Sequence, residues 1–501
     1  MNPFTKIKNL ENYKIAVLTG YAYTILTLIT SIFVTRHIFK YFDNSQYGVF
    51  ILVVETIAVF EILDFGFSGG MISFLSRETD DKDRINKLVS TLFYAQVALA
   101  IVASVMAFCM VFNPSILFHD TNIEDGVLKN AIMIASFSLL LTMITKSISQ
   151  ILYARRKIAG DNYLKIISLT IRVGLIFLLL KKFPTIEFLI FVTLITQLIN
   201  FFQTIYLVKK VEFDIHFNLK NIDFTILKEV WSVSSWFAIG GLALLFIERF
   251  DNIMTGTIVS AKAITILVVS RKLFDIAKTF IFQLNNNYRP YFGKMFGQGK
   301  NEEVLIKFRN LSIISVMLAS FVGGGIIIIN DFFIEKWVGL GKYGGVVLSV
   351  LLFFNLVFHA WKISYRAFLS SNLIAKELAI SSFIEGMFNL LFAYILGLKF
   401  GIEGIVASTF LSGIVVQSIA LVYINKKHNI EPLKGFALRN ISQIILVSVL
   451  GFSAYFITIT VDMLIIRLFI WFAIMLVSLL SVHKIFMKEY PLSMVLKGKL
   501  L

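Results

Sequence analysis

Residues 88–113 read LVSTLFYAQVALAIVASVMAFCMVFN, a run with no charged side chain. A helix of about 20 apolar residues covers the hydrocarbon core of a bilayer, and in lipid every backbone polar group must be satisfied inside the segment. This run therefore predicts a membrane-spanning helix. Working outward from it, comparable runs recur at 15–35, 46–69, 127–150, 162–180, 184–208, 226–248, 252–271, 304–329, 344–370, 377–398, 402–425, 437–460 and 463–486. With 88–113 they make fourteen, joined by short loops. The composition agrees, with 57% hydrophobic residues, 16% charged and a mean hydropathy of +0.81. The first run is long and lacks a small-residue cleavage pattern, so it reads as a retained helix. The expected fold class is an all-α polytopic membrane protein.

The net charge of +16 is distributed in a way that argues against nucleic acid as a partner. With the N-terminus placed in the cytoplasm, the cytoplasmic segments carry 34 Lys/Arg and the opposite side 10, and Lys146, Arg172 and Lys262 fall within spans. Such a split is the positive-inside rule. It predicts an even number of spans, both termini in the cytoplasm and a basic face toward anionic lipid. The single Cys109 forms no internal disulfide, and the six His residues show no metal-ligand spacing. No cofactor is expected. The loops leave no room for a soluble catalytic domain, so no enzyme is expected either.

An internal repeat organises the spans. TKSISQILYARRKIAGDNYL (145–164) and WKISYRAFLSSNLIAKELAI (361–380) each end a long span with a lysine, pass a basic or polar turn, and enter a short span. Asp43-Asn44 and Asp251-Asn252 match loosely before the second and eighth spans. These matches predict two pseudo-symmetric six-helix bundles, 1–220 and 221–435, with an appended helix pair in 436–501. Two copies that enter the membrane from the same side are related by an axis along its normal, which places a binding cavity between the halves. All six prolines lie in tails or at span ends.

A charge near the bilayer centre costs about 3 kcal/mol or more and usually faces a partner or a wet cavity. Glu55 and Lys262 read as mid-span charges in the second and eighth spans, Arg172 and Glu385 as a second set in the fifth and eleventh, and Lys146 and Lys362 as a third of like sign. All six are candidates to line the passage; the bland alternative is that they pair within one bundle and fix packing. Glu61 and Asp64, one turn apart, form a carboxylate pair suited to proton coupling, or cap a helix end near Arg77. Arg36 and Arg249 read as ending the first and seventh spans at the outer mouth, where two guanidinium forks can hold a phosphate; a surface pair of Arg249 with Glu248 or Asp251 is the alternative.

Three local patterns then carry a resemblance: Tyr47-Gly48 opening the second span, Leu63-Asp64-Phe65-Gly66 running into a basic segment at Arg77, and Arg249-Phe250-Asp251-Asn252 followed by Arg289-Pro290. With the span plan of six, six and two, the chain resembles the polysaccharide-transport family of lipid-linked oligosaccharide (O-antigen) flippases. That family sits in the multidrug/oligosaccharidyl-lipid/polysaccharide (MOP) exporter superfamily, beside the lipid II flippase and the multidrug-and-toxin extrusion transporters. The resemblance implies translocation of an undecaprenyl-diphosphate-linked repeat unit across the bacterial cytoplasmic membrane by alternating access, for surface polysaccharide. It implies a polysaccharide polymerase and a chain-length regulator as partners; a monomer is the default state. Arg36, Lys146, Arg172, Arg249, Lys262 and Lys362 are the head-group candidates. Glu55, Glu61, Asp64 and Glu385 are the ion-coupling candidates, with H+ or Na+ left open. The family's lumen is cationic, whereas the charges here are mixed. Rival readings are a multidrug exporter of the same architecture, which the lack of proline in the first span disfavours, and the lipid II flippase.

Overall fold

A computed structural model describes residues 13–428 apart from 76–80, 115–122, 156, 212–214 and 373, together with 466, 469 and 471–473. Among these residues the chain is almost wholly helical and contains no strand. Nine helices are long and apolar enough to cross a membrane. The thirteenth span and most of the fourteenth lie outside the described residues. The chain is a multi-pass membrane protein, and it divides into two compact units, Met1–Thr265 and Ile266–Leu501.

In the first unit, α1 (Tyr13–Ile38) is followed by α2 (Asn44–Val59), which Asp43 opens with a capping box to Gln46. A short 3-10 segment, Phe60–Asp64, continues α2, and α3 (Phe67–Leu75) follows after a turn. Next come α4 (Lys82–Cys109), α5 (Asp125–Ala154), α6 (Ile158–Leu179), α7 (Ile186–Val211), α8 (Phe224–Glu248) and α9 (Phe250–Met254). The core joins Met71 and Leu75 of α3 to Val89 and Leu92 of α4, Ile151 and Leu152 of α5, and Val230 of α8. Polar side chains tie the elements where their alternative would be an unsatisfied group in lipid. Asn162 of α6 donates to the Thr19 hydroxyl and the Ala16 carbonyl of α1. The Ser90 hydroxyl and the Asn86 carboxamide of α4 hold the backbone of His216 in the loop before α8.

The seventh and eighth spans depart from the expected boundary. Instead of ending at 248, the seventh span continues through α9 and a π-helical turn, Thr255–Val259, before the chain breaks at an extended Ser260. The eighth span starts at Ala261 as α10 (Ala261–Gly297), a helix of 37 residues. Contacts along α2 show the consequence. Asn44 accepts a hydrogen bond from Thr265 at the start of α2; Gly48 lies against the backbone of Ala261; Leu52 packs on Gly256; and Glu55 meets Arg249 and Asn252. The chain thus descends α2 as it is followed backward from 265 to 249. Glu55 lies eleven residues past Asn44, about 16 Å along a helix rising 1.5 Å per residue and close to mid-membrane. Arg249 is therefore at mid-span depth and Lys262 at the mouth. This reverses the depths expected from sequence, and the count of 34 against 10 survives because the two residues exchange places. Asp251-Asn252 accordingly lies within a span, unlike its supposed counterpart Asp43-Asn44, which opens one.

The second unit contains the body of α10, then α11 (Asn301–Val338), α12 (Gly345–Ser371) and α13 (Ala375–Lys427). The last is two spans in one, turning at Gly401, whose φ of 60° and ψ of −135° only glycine adopts easily. This turn falls between the expected spans 377–398 and 402–425. The core gathers Phe292 of α10, Phe308 of α11, and Tyr365 and Phe368 of α12, with Phe308 and Phe368 stacked at 4.5 Å. Gly323-Gly324-Gly325 is a packing surface: Gly323 admits Phe353 and Leu356, and Gly324 and Gly325 lie under the Trp471 indole.

Candidate functional site

The first unit brings four of the sequence candidates to one cavity of about 460 Å³. Its polar wall is Glu61, Asp64, Ser68, Lys146, Gln150, Glu248 and Arg249, and its apolar wall includes Ala58, Ile62, Ala238 and Leu245. The end of α2 shapes one side. There the helix tightens to a 3-10 turn and Phe65 takes a left-handed conformation (φ 46°), followed by Gly66 at φ 75°. A left-handed non-glycine residue costs of order 1 kcal/mol and persists only where the surroundings hold it. The effect is to stop α2 at Asp64 and restart the chain as α3. The tetrad Leu63-Asp64-Phe65-Gly66 thus builds the corner on which Glu61 and Asp64 are displayed.

Two ion pairs cross the cavity walls. Lys146 of α5 lies 3.3 Å from Asp64, whose other oxygen accepts from the Ser68 backbone N–H at 3.2 Å and the Ser68 hydroxyl at 3.1 Å. Asp64 therefore both caps α3 and holds a cation. Arg249 donates to Glu55 at 2.7 Å, and Asn252 donates to the other Glu55 oxygen at 3.4 Å. In each pair the cation is the more accessible partner: Lys146 is 40% exposed against 10% for Asp64, and Arg249 39% against 22% for Glu55. The carboxylates are set into the wall and the cations reach into the space. A charge in such surroundings favours a counter-charged ligand over bare lipid or water.

The remaining candidates are placed elsewhere. Arg172 is half-buried in α6, with Tyr23 of α1 as its electrostatic neighbour. Arg36 is exposed on the last turn of α1, and Lys262 is exposed at the start of α10. The expected pairing of Arg36 with Arg249 at one mouth gives way to Arg249 bound to Glu55 about half a membrane away. Lys362 and Glu385 belong to the second unit and bond to each other at 2.6 Å, with Gln417 donating to the second Glu385 oxygen. Glu385 is 1% exposed. Both its oxygens are occupied, and no face of this pair is offered to a head group or an exchangeable ion in this conformation. Its role here is to lock α12 to the two arms of α13.

Four residues were not anticipated at the site. Gln150 stands one turn beyond Lys146, and Ser68 one turn beyond Asp64, so helical spacing alone would have placed them on the same faces. Glu248 reads from sequence as a surface partner of Arg249 and Asn252 as part of a repeat match, because the misplaced span boundary puts both outside the membrane. Among the described residues no group of His, Cys, Asp and Glu is arranged to hold a metal ion.

No protein-family model matches the chain, and no curated protein sequence matches it. Solved structures do. The chain is similar to the lipid II flippase MurJ in its inward closed conformation, with a TM-score of 0.72 and 16% identity over 93% of this chain and 99% of that one. That likeness is one of fold, and it extends to transporters of the MOP superfamily. A multidrug resistance MATE transporter of that superfamily, in an inward-facing conformation, gives a TM-score of 0.66 at 14% identity, covering 81% of this chain and 95% of that one. A MOP-superfamily transporter from Pyrococcus furiosus, described as having a binding pocket of reverse polarity, gives 0.57 at 13%, covering 82% and 93%. At these identities the MOP architecture is what is shared. Pocket chemistry has to be read from this chain's own residues.

Proposed function

We propose that the protein is a flippase for an undecaprenyl-diphosphate-linked oligosaccharide, moving the head group through the membrane by alternating access while the prenyl tail stays in lipid. The observation that carries this reading is the cavity in which Lys146 and Arg249 stand on opposite sequence segments, each anchored by one deeper carboxylate. A diphosphate carries several negative charges, and transferring it through hydrocarbon unaccompanied is prohibitive. Two accessible cations remove that barrier. A lysine offers a mobile point charge and an arginine a planar fork matched to phosphate oxygens. Arg36, Arg172 and Lys262 extend the same reading as further head-group contacts along the route. Lys362 is left out because its ammonium is already spent on Glu385.

Coupling to H+ or Na+ is assigned to Glu55, Glu61 and Asp64. When head group binds Arg249 or Lys146, the carboxylate that loses its partner becomes an unpaired charge in a low-dielectric wall. Such a carboxylate takes up a proton or a small cation. Binding of substrate and ion are thereby linked through the same two pairs. Glu385, whose oxygens are filled, is assigned to packing. The reading keeps both termini in the cytoplasm, places the protein in a bacterial cytoplasmic membrane, and assigns no catalytic residue. A polysaccharide polymerase and a chain-length regulator are the expected neighbours.

Deleting the gene from the bacterium that carries it separates the readings. The expected result is a viable strain without its surface glycan, with lipid-linked repeat units accumulating inside. The glycan returns with the wild-type gene but not with Lys146→Ala or Arg249→Ala variants expressed at normal levels. Lethality with arrested peptidoglycan synthesis points instead to lipid II. An intact glycan together with new sensitivity to cationic dyes points to a drug exporter.

A further inference from the structure

We infer that the outward face of the α13 hairpin is a binding site for an anionic glycerophospholipid, held by its phosphate at Lys376 and Lys427 and by one acyl chain in the groove between the two arms. The groove is separate from the charged cavity of the first unit and has a volume of about 520 Å³. Ile380, Ile384 and Phe388 form one wall and Val415, Ile419 and Tyr423 the other. These are large apolar residues that remain open: Ile419 is 67% exposed and Ile384 42%. On a span of a multi-pass protein such a face meets lipid. What distinguishes it from an ordinary lipid-facing surface is its shape and its charged end.

The hairpin folds this way for local reasons. Gly401 turns the chain, Gly404 lets the second arm approach the backbone of Leu396, and Asn389 accepts from Ser408 across the arms at 2.9 Å. Farther along, Gln417 reaches across to Glu385. The arms are thus pinned along their inner faces, and their outer side chains stand apart as two ridges. From Lys376 to Phe388 one ridge rises about 18 Å at 1.5 Å per residue. That is close to the depth of one leaflet, half of a roughly 30 Å core. An acyl chain fits that length; an undecaprenyl chain is several times longer, which favours a glycerophospholipid as the occupant.

The charge sits at one end only. Among the described residues lining the groove, Lys376 and Lys427 lie there with one carboxylate, Glu377. Lys427 bonds to Glu377 at 2.7 Å and lies 5.8 Å from the Tyr423 ring centroid. His428 approaches the same Glu377 oxygen. Cations beside an aromatic ring at the end of an apolar groove are the arrangement that meets a head group at the membrane interface. Positive charge so placed selects anionic over zwitterionic lipid. Assigning the site to the cytoplasmic leaflet rests on the orientation proposed above; the lipid preference itself does not.

The test uses the full-length protein purified in detergent, with retained lipid counted by native mass spectrometry during titration with phosphatidylglycerol or phosphatidylcholine of equal chain length. For wild type, phosphatidylglycerol should be preferred about thirtyfold, about 1 kcal/mol for each of two lysines. Lys376→Gln/Lys427→Gln should reduce the preference to near unity. Glu377→Gln, which removes the competing carboxylate and leaves both lysines, should keep or raise it. Ala420→Trp, which fills the groove, should reduce binding of both lipids. Equal binding of the two lipids by wild type, or a lost preference in Glu377→Gln, overturns the inference. So does undecaprenyl phosphate displacing phosphatidylglycerol from wild type at lower concentration. Because the readout is in detergent, it fails or succeeds independently of the flippase reading.

Discussion

Replacing Arg249 and replacing Glu55 should have opposite effects on head-group binding. Arg249→Ala removes a cation that reaches into the cavity. A hydrogen bond to a charged group is worth about 1.5–3 kcal/mol, so affinity for an undecaprenyl-diphosphate head group should fall roughly ten- to a hundredfold, with transport abolished. Glu55→Gln instead removes the carboxylate that competes with substrate for the same guanidinium, which bonds to it at 2.7 Å. Binding should tighten while transport slows, because nothing draws Arg249 back at release. Binding measured by fluorescence on purified variants checks both signs. If Glu55→Gln and Arg249→Ala weaken binding alike, the pair is a structural strut and the coupling scheme is wrong.

The largest effect on stability should come from Lys362→Ala. It strands Glu385, 1% exposed and bonded otherwise, among the described residues, to Gln417. Removing one partner of a buried pair costs about 3–5 kcal/mol because the other charge is left without compensation. Replacing both at once with apolar residues of similar volume, Lys362→Met with Glu385→Leu, should recover most of that loss. Thermal unfolding in detergent reads the first result. Transport by the double variant reads the second, and near-normal transport is expected because the pair's contribution is packing. A stable double variant without transport would restore Lys362 and Glu385 to the transport machinery.

Much of the architecture was legible because lipid leaves a chain few options. Runs such as 88–113 have to be helices, and the lysine and arginine asymmetry survives any small error in their ends. The turn at Gly401 between two expected spans shows how well hydropathy locates a helix end where a glycine is free to reverse the chain. The seventh span shows where it fails. Glu248-Arg249-Phe250-Asp251-Asn252 reads as a loop because four polar or charged positions in five look like water. In the structure the span continues through them, since Glu55 accepts from the guanidinium at mid-membrane and Asn252 donates to the other Glu55 oxygen. A tertiary partner 194 residues away makes that placement tolerable. The break that hydropathy misses comes at Ser260, after a π-turn that leaves no compositional mark.

The site was half legible for the same reason. Glu55, Glu61, Asp64 and Lys146 stand out as charges inside apolar runs, and the cavity gathers three of them directly. Which charge meets which was not legible. Equivalent position in the repeat set Glu55 with Lys262 and Arg172 with Glu385 as candidates to line one passage, whereas Glu55 takes Arg249 and Glu385 takes Lys362. Partners are chosen by depth and facing, which a likeness between two stretches of sequence does not specify. Depth and facing depend on where each helix begins.

Flipping by purified protein in liposomes addresses the central claim most directly. An undecaprenyl-diphosphate-linked oligosaccharide carrying a fluorophore on the sugar is placed in both leaflets, and its accessibility to an external quencher is followed in time. Wild-type protein should render nearly all of the label accessible and so distinguish itself from empty liposomes. Lys146→Ala and Arg249→Ala should behave as if no protein were present. Wild-type rates in both variants, or the same rate for a neutral prenyl-linked sugar without the diphosphate, would contradict a cavity built to carry a phosphorylated head group.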